Sequence, residues 1–208
     1  DFGRVIEPGR LCQHLVGSTP LIVNAKISGI SRSDHELMLI TEDGRHFSFD
    51  KIVVATGAGL PETLCQLAIV GVRVNITTGQ VSHIPQQTAL RALRAGLSFG
   101  GYLTPSHNGF HELGATFDRT GQAVGDDEAY FHNRNLLPPI LKDILLHLDH
   151  CSGRTSQRAS TPDRFPIMGQ LAADVYVLGA VGARGFTMAP MLGEYLAAQI
   201  ALMPNCLN

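Results

Sequence analysis

The chain has 208 residues, 44% of them hydrophobic, with 22 Gly, 11 Pro and a formal net charge of −2. That is chain enough for one large domain or two small ones, and its charge supplies neither a basic field for nucleic acid nor an acidic tail. No apolar run approaches the ~20 residues of a membrane span and no signal peptide opens the chain, so a turn-rich cytoplasmic protein with no membrane partner is expected.

The chain opens Asp1-Phe-Gly-Arg-Val-Ile-Glu-Pro, without an initiator Met and in what reads as mid-strand, so a fragment of a longer polypeptide is expected. Val5-Ile6 reads as a short strand. Pro8 then starts a helix through Leu11, Leu15 and Val16, because proline suits the first helical position. Pro20–Ala25 reads as a strand. Glu36–Thr41 alternates and meets Glu42-Asp43-Gly44, a turn signal that predicts a hairpin with His46–Phe49. Ile52-Val-Val-Ala-Thr56-Gly57-Ala58-Gly59 is a buried β run ending in small residues.

From Leu67 to Phe117 the texture changes. Short alternating segments, Val70–Ile76, Gly101–Leu103 and Glu112–Thr116, are broken by Gly, Pro and Asn, which predicts antiparallel sheet. Thr88–Ala95 reads as helical, with Arg91 and Arg94 on one face that is either solvated or in touch with a polyanion. Asp126-Asp127-Glu128 caps a helix to about Leu136, since acids suit the first turn. Pro138-Pro139 stops it, and Ile140–Leu148 forms another. Gly153–Gly169 reads as extended, with Arg158 able to fork a carboxylate or simply to pair with Asp163. Val175–Leu178 is a short buried strand. Gly179, Gly182 and Gly185 form a turn, and an amphipathic helix follows Pro190 with Met191, Leu192, Tyr195, Leu196 and Ile200 at helical spacing. A glycine turn feeding a helix aims N–H groups and a positive dipole end at a ligand, although packing glycines satisfy the same pattern.

Other motifs carry less. Gly96-Leu-Ser98-Phe-Gly100 matches a nucleophile elbow, but that motif needs a strand before it and a helix after it. Here the expected order is reversed. Asn75-Ile-Thr77 is a glycosylation sequon without use in the cytoplasm. Cys12, Cys65, Cys151 and Cys206 are scattered, form no CxxC and lack zinc-type histidine spacing, so reduced thiols and no metal site are expected. No GxGxxG occurs; Gly57-Ala58-Gly59 lacks the third glycine.

Taken in order, five segments resemble a known family. Ile52-Val-Val-Ala-Thr-Gly-Ala is similar to the VVxATG strand of FAD-dependent oxidoreductases of the D-amino-acid oxidase and glycine oxidase type. Val72–Gln80 is similar to their P-x-R-G-Q segment, with the Pro and Arg positions drifted. Tyr102-Leu-Thr-Pro105 with Leu113–Thr116, and Arg158 with Thr161–Gly169, match two further family patterns. Gly179–Gly185 with Ala189-Pro190 resembles one branch, the oxidoreductase half of the bifunctional enzyme that builds 5-methylaminomethyl-2-thiouridine at the tRNA wobble position.

The resemblance implies an α/β (α+β) fold. An incomplete three-layer FAD-binding domain, its N-terminal GxGxxG unit missing, would interleave with an antiparallel substrate domain. The implied division is a strand of the substrate part at 1–8, an FAD piece at 9–60, the substrate domain at 61–158 and a C-terminal FAD piece at 159–208. FAD is the implied cofactor, lined by Thr56, Gly57, Ala58, Gly182, Ala183, Arg184, Gly185 and Phe186. Arg158, binding a substrate carboxylate, and Tyr102 are the implied catalytic residues. The implied reaction is oxidative cleavage of a carboxymethylaminomethyl uridine of tRNA with release of glyoxylate. The alternatives are a glycine- or sarcosine-oxidase-like enzyme and a non-catalytic docking fragment. tRNA, the missing FAD-binding segment and the methyltransferase half are the implied partners, and the isolated fragment is expected to be inactive.

Overall fold

The computed structural model describes residues 5–17, 24–33, 36–145 and 148–202. These divide into two compact units, Asp1–His14 with Thr77–Gln157 and Leu15–Ile76 with Arg158–Asn208. The chain passes from one unit to the other within α1 (Pro8–Val16), β5 (Asn75–Pro85) and β9 (Gly153–Ser160).

The unit containing the C-terminus holds β1 (Ile27–Arg32), β2 (Leu37–Thr41) and β3 (His46–Phe49), which form an antiparallel sheet in the order β1-β2-β3. The β2–β3 turn forms where acid and glycine predict it. The Thr41 hydroxyl donates to the Arg45 carbonyl at 3.0 Å and accepts from the Arg45 N–H at 2.9 Å, and Gly44 takes φ +81°. A second sheet has the order β10-β11-β4, from β4 (Ile52–Val54), β10 (Ile167–Ala172) and β11 (Val175–Gly179). β10 pairs antiparallel with β11, but β11 pairs parallel with β4 through Val175↔Ile52, Tyr176↔Val53 and Val177↔Val54.

Strand alternation assigns the faces of this sheet. Ile52, Val54, Val175 and Val177 are buried in one core with Leu37 of β2 and with Leu60 and Leu64 of α2 (Leu60–Gln66). Leu178 faces the other way, where Gly193 of α5 (Gly185–Ile200) approaches it so closely that a Cβ there would lie 3.8 Å from it.

In the other unit a five-stranded sheet has the order β6-β7-β8-β5-β9, from β6 (Leu97–Ser98), β7 (Tyr102–Leu103) and β8 (Phe110–Gly114) with β5 and β9. The β6–β7, β7–β8 and β8–β5 pairs are antiparallel. Ile84, Leu103, Leu113, Tyr130, Leu137 and Leu145 make its core, which includes residues of α3 (Asp126–Asn135) and the approaches to α4 (Pro139–Ile144). Asn133 of α3, fully buried, fixes helix to sheet by donating to the carbonyls of Gln80 and Leu113 and to the Ser82 hydroxyl at 3.1–3.3 Å.

Several sequence expectations change. Val5-Ile6 is not a strand; both residues are exposed coil, and without a partner an apolar pair makes no ladder. Of the expected strand Pro20–Ala25, 20–23 lie outside the described residues and 24–25 are not strand. The strand is Ile27–Arg32 instead. Val70–Val74 is loop, entered by turns at Ala68 (φ +55°) and Gly71 (φ +87°), and the ladder starts only at Asn75. Val74 and Ile76 still pack on the core of the C-terminal unit, with Leu64, Leu67 and Ile69. Residues 61–76 therefore belong to that unit, and residues 9–14 belong to the other. Thr88–Ala95 holds only a 3-10 turn at Thr88–Leu90. Leu148 is not helical. The last helix starts at Gly185 rather than after Pro190, which sits in its second turn and removes one ladder bond. Among the described residues no helix is long and apolar enough to cross a membrane.

One exposed ion pair gives the five-stranded unit a pH signature. His150 Nδ1 lies 2.9 Å from Asp127 Oδ2, while Asp127 Oδ1 accepts from the Cys151 N–H at 3.1 Å. The hydrogen bond to Asp127 raises His150 above 6.5, and the bonds from His150 and Cys151 hold Asp127 below 3.8. The His150 contribution is complete below 6.5 and is lost as pH rises through its raised pKa. That of Asp127 is complete above 3.8 and is lost as pH falls through its lowered one. The melting temperature of His150→Gln should therefore trail the parent between about pH 4 and 6.5 and rejoin it in alkali. A constant gap across pH would show that the pair does not titrate as described.

Candidate functional site

Two glycine turns stand at the carboxyl ends of neighbouring parallel strands. β4 leaves at Val54 and passes Ala55-Thr56 into a 3-10 turn, Gly57–Gly59, that opens α2. β11 leaves at Gly179 and passes Ala180-Val181 into a second 3-10 turn, Gly182–Arg184, that opens α5. Gly57 and Gly182 each take φ +58°, a left-handed conformation that L side chains adopt with strain. Because β4 and β11 run parallel and adjacent, the two turns share one edge of the sheet, where open α/β sheets bind ligands.

The helix starts at this edge are open. Neither α2 nor α5 has a side-chain cap; α5 has no acid in its first turn, whereas α2 carries Pro61 and Glu62 there, so α5 is the stronger anion site. The first N–H groups of an α-helix have no intrahelical partner and carry the positive end of its dipole. A Cβ added at Gly57 would meet nothing within 4 Å, and one at Gly182 only Ser160 Cβ at 3.6 Å. The site therefore offers backbone donors and open space to an anionic or electron-rich group.

Arg158 reaches the same edge from β9. Ser160, two residues on, pairs with Val181 just before the second turn. Residues two apart on a strand share a face, and the intervening Ala159 is buried while Arg158 is exposed. Arg158 thus stands on the strand face that touches the Gly182 turn. The Thr161-Pro-Asp163-Arg164 segment after it is locally closed. Asp163 accepts from the Phe165 N–H at 3.0 Å, and Thr161 Oγ1 donates to the Phe165 carbonyl at 2.7 Å.

The C-terminal unit thus brings together Thr56, Gly57, Ala58, Arg158, Gly182, Ala183, Arg184, Gly185 and Phe186. Arg184 donates to the Arg164 carbonyl at 2.7 Å, and the exposed Phe186 ring lies in the first turn of α5. Tyr102 lies in the other unit. Its ring covers Gly114 across the β7–β8 pair, and a Cβ at Gly114 would fall 2.6–2.8 Å from ring atoms. The Gly96–Gly100 motif lies at the β6–β7 hairpin, strand followed by strand, which excludes a nucleophile elbow. Sequence reading did not find Ser160 as the tie between β9 and the second turn. A lone serine ending a strand gives no signal, because its partner is distant in sequence.

The family described as FAD dependent oxidoreductase (DAO) matches residues 2–199. The tRNA 5-methylaminomethyl-2-thiouridine biosynthesis bifunctional protein MnmC of Idiomarina loihiensis is 35% identical over 169 residues, 76% of this chain and 26% of that protein. The MnmC of Marinobacter nauticus is 28% identical over 225 residues, 98% of this chain and 34% of that protein. Among solved structures, glycine oxidase from Geobacillus kaustophilus superposes with a TM-score of 0.71 at 17% identity, covering 88% of this chain and 49% of that one. Iminodiacetate oxidase from Chelativorans sp. BNC1 gives 0.67 at 20% identity, covering 89% and 51%. The chain therefore spans a quarter to a third of these curated relatives and about half of these solved chains.

Proposed function

The chain belongs to the FAD dependent oxidoreductase family, and on that premise we propose that it forms part of a flavoenzyme that cleaves the C–N bond of a carboxymethylaminomethyl group on the wobble uridine of tRNA, releasing glyoxylate. The observation that carries the FAD part of this reading is the pair of left-handed glycine turns, each opening an uncapped helix at the shared carboxyl edge of β4 and β11. The relatives' printed function supports the tRNA part.

In this reading Thr56, Gly57, Ala58 and Gly182–Phe186 hold the cofactor. FAD bound there would supply hydride-accepting chemistry for a carbon beside an amine. The N–H groups at the start of α5 stabilise negative charge on whatever they face, and in a water-poor site that effect is large. Arg184, tied to the Arg164 carbonyl, keeps the second turn in place. Arg158 forks the carboxylate of the substrate tail and aims the reacting C–H. Tyr102 is the second proposed catalytic side chain. The pieces 9–60 and 159–208 are proposed as cofactor-holding and 61–158 as substrate-facing, with 61–76 and 9–14 reassigned by their packing. The protein works in the cytoplasm. The 208 residues contain no GxGxxG, so the isolated chain binds FAD weakly and is inactive alone.

Arg158 gives a direct test. In the intact gene product Arg158→Ala should lower kcat/KM at least ten- to a hundredfold, since a charged hydrogen-bond pair contributes about 1.5–3 kcal/mol, with FAD content unchanged. Arg158→Lys keeps the charge, loses the fork and should remain impaired. A flavinated, stable Arg158→Ala enzyme with parental kcat/KM would remove Arg158 from the site. A second reading, an oxidase of small amino acids, draws on the fold shared with glycine oxidase. Turnover of free glycine or sarcosine but not of modified tRNA would favour it.

A further inference from the structure

We propose that a cavity on the five-stranded unit binds a phosphate group presented by an RNA strand. The cavity, of about 390 Å3, is lined among others by Gln86, Leu90, Arg91, Arg94, Ser106 and Asn108. Its volume falls in the roughly 300–1,000 Å3 of small-ligand sites. Two guanidiniums line it and no carboxylate does.

The local fold explains why both arginines reach one space. Had Thr88–Ala95 been helical, they would project from a solvated face. Instead the 3-10 turn Thr88–Leu90 buries Leu90 in the core, and the chain leaves it in turns that carry Arg91 and Arg94 to the cavity wall. Among the described residues neither guanidinium has a hydrogen-bond or ion-pair partner. Arginines committed to structure normally hold a carboxylate or a carbonyl, as Arg32, Arg45 and Arg184 do here.

The opposite wall is a tight turn. His107 and Phe110 exchange backbone hydrogen bonds at 2.8 and 3.0 Å around Asn108 (φ +50°) and Gly109 (φ +84°). The Gln86 N–H donates to the Gly109 carbonyl at 2.8 Å and fixes that wall to the end of β5. Glu7 lies 3.8 Å from His107 of this turn and pairs with Arg10 at 3.3 Å. The wall thus offers amide and hydroxyl donors beside two cations that line the same cavity. Planar guanidiniums suit phosphate oxygens, and phosphate contacts supply essentially all of non-specific nucleic-acid affinity and a large share of the specific. The net charge of −2 does not oppose this, because the positive charge is local.

The RNA source rests on the tRNA reading above, and the experiment separates the two. The intact gene product, parent and Arg91→Ala/Arg94→Ala, is titrated with unmodified tRNA across a salt series. Each is also titrated with inorganic phosphate while the Asn108 and Gly109 amide resonances are followed. Both arginines are exposed, so the variant should melt as the parent does. The expected result is about a tenfold or greater loss of tRNA affinity, a log K against log salt slope shallower by about 0.7 to 1, as for one phosphate contact, and phosphate-dependent amide shifts in the parent alone. Parent tRNA binding and slope kept in the variant, with no parental amide shift, would overturn the proposal. If the parent binds no tRNA yet phosphate shifts the amides only while the arginines are present, the phosphate site stands and the tRNA reading falls.

Discussion

Gly101→Ala should destabilise the five-stranded unit by about 3 kcal/mol, the upper part of the range for overpacking a well-filled site. Gly101 stands at the β6–β7 hairpin, where a Cβ would overlap the Gly114 carbonyl oxygen and come within 3.2 Å of the Phe99 ring. The obstacle is backbone of the neighbouring strand, so no rotamer change relieves it. The same strand is pinned from its other side, since the Tyr102 ring covers Gly114. A shift of β8 would also disturb Leu113, fully buried, and its carbonyl bond from Asn133. In a chain of this size the loss corresponds to a melting temperature lower by roughly 6–12 °C. Gly29→Ala is the control, because a Cβ there meets nothing within 4 Å and its φ is ordinary. It should melt at or slightly above the parent. Equal melting temperatures for parent and Gly101→Ala would mean that β7 and β8 are not packed as described.

Gly182→Val should reduce FAD affinity of the intact gene product by about tenfold or more and lower turnover with it. Gly182 takes φ +58° at the mouth of the second turn. The left-handed conformation costs an L residue roughly 1–2 kcal/mol, and a β-branched one suffers most. The turn would relax by moving the N–H groups that open α5, and a factor of ten in binding corresponds to about 1.4 kcal/mol. Gly185 gives a graded comparison. Its φ of −53° is helical, and a Cβ there would meet the Val181 side chain, Cγ2 at 3.1 Å and Cβ at 3.9 Å. Gly185→Ala should be mild in stability, and Gly185→Val should impair flavin binding only if the cofactor approaches that backbone. The readout is the ratio of flavin to protein absorbance, set beside the melting temperature. A Gly182→Val protein that melts earlier yet keeps its full flavin content would make the turn structural and remove it from the cofactor site.

Both predictions concern glycines that look alike in the sequence and differ only in their surroundings. Gly29, Gly101, Gly182 and Gly185 are each a glycine in a turn-rich chain. Coordinates separate the one with open space, the one against a carbonyl, the one with positive φ and the one in a helix. The same holds for arginines. Arg184 and Arg91 each follow a glycine or a turn in sequence, yet one is tied to a carbonyl and the other faces a cavity.

Local chemistry was legible wherever it decided the outcome within a few residues. The β2–β3 hairpin followed from Glu42-Asp43-Gly44, α1 from Pro8, α3 from its three leading acids, and β4 and β11 from short buried apolar runs. Order of motifs alone carried the family, which the match over 2–199 establishes. The errors came where a segment's fate depends on distant partners. Val5-Ile6 is apolar but has no strand beside it. Val70–Val74 alternates but forms no ladder, with Val70 and Val72 exposed and only Val74 packed on the core, and Thr88–Ala95 has helical spacing but is pulled out of helix by the burial of Leu90. The sequence by itself determined the locally encoded elements, the glycine turns and the class of chemistry they suit. Only the tertiary structure decided that β4 and β11, far apart in the chain, lie parallel and adjacent, so that both turns and Arg158 meet at one edge. Pairing of distant strands is fixed by the burial of whole faces and by register, and neither is encoded in any single segment.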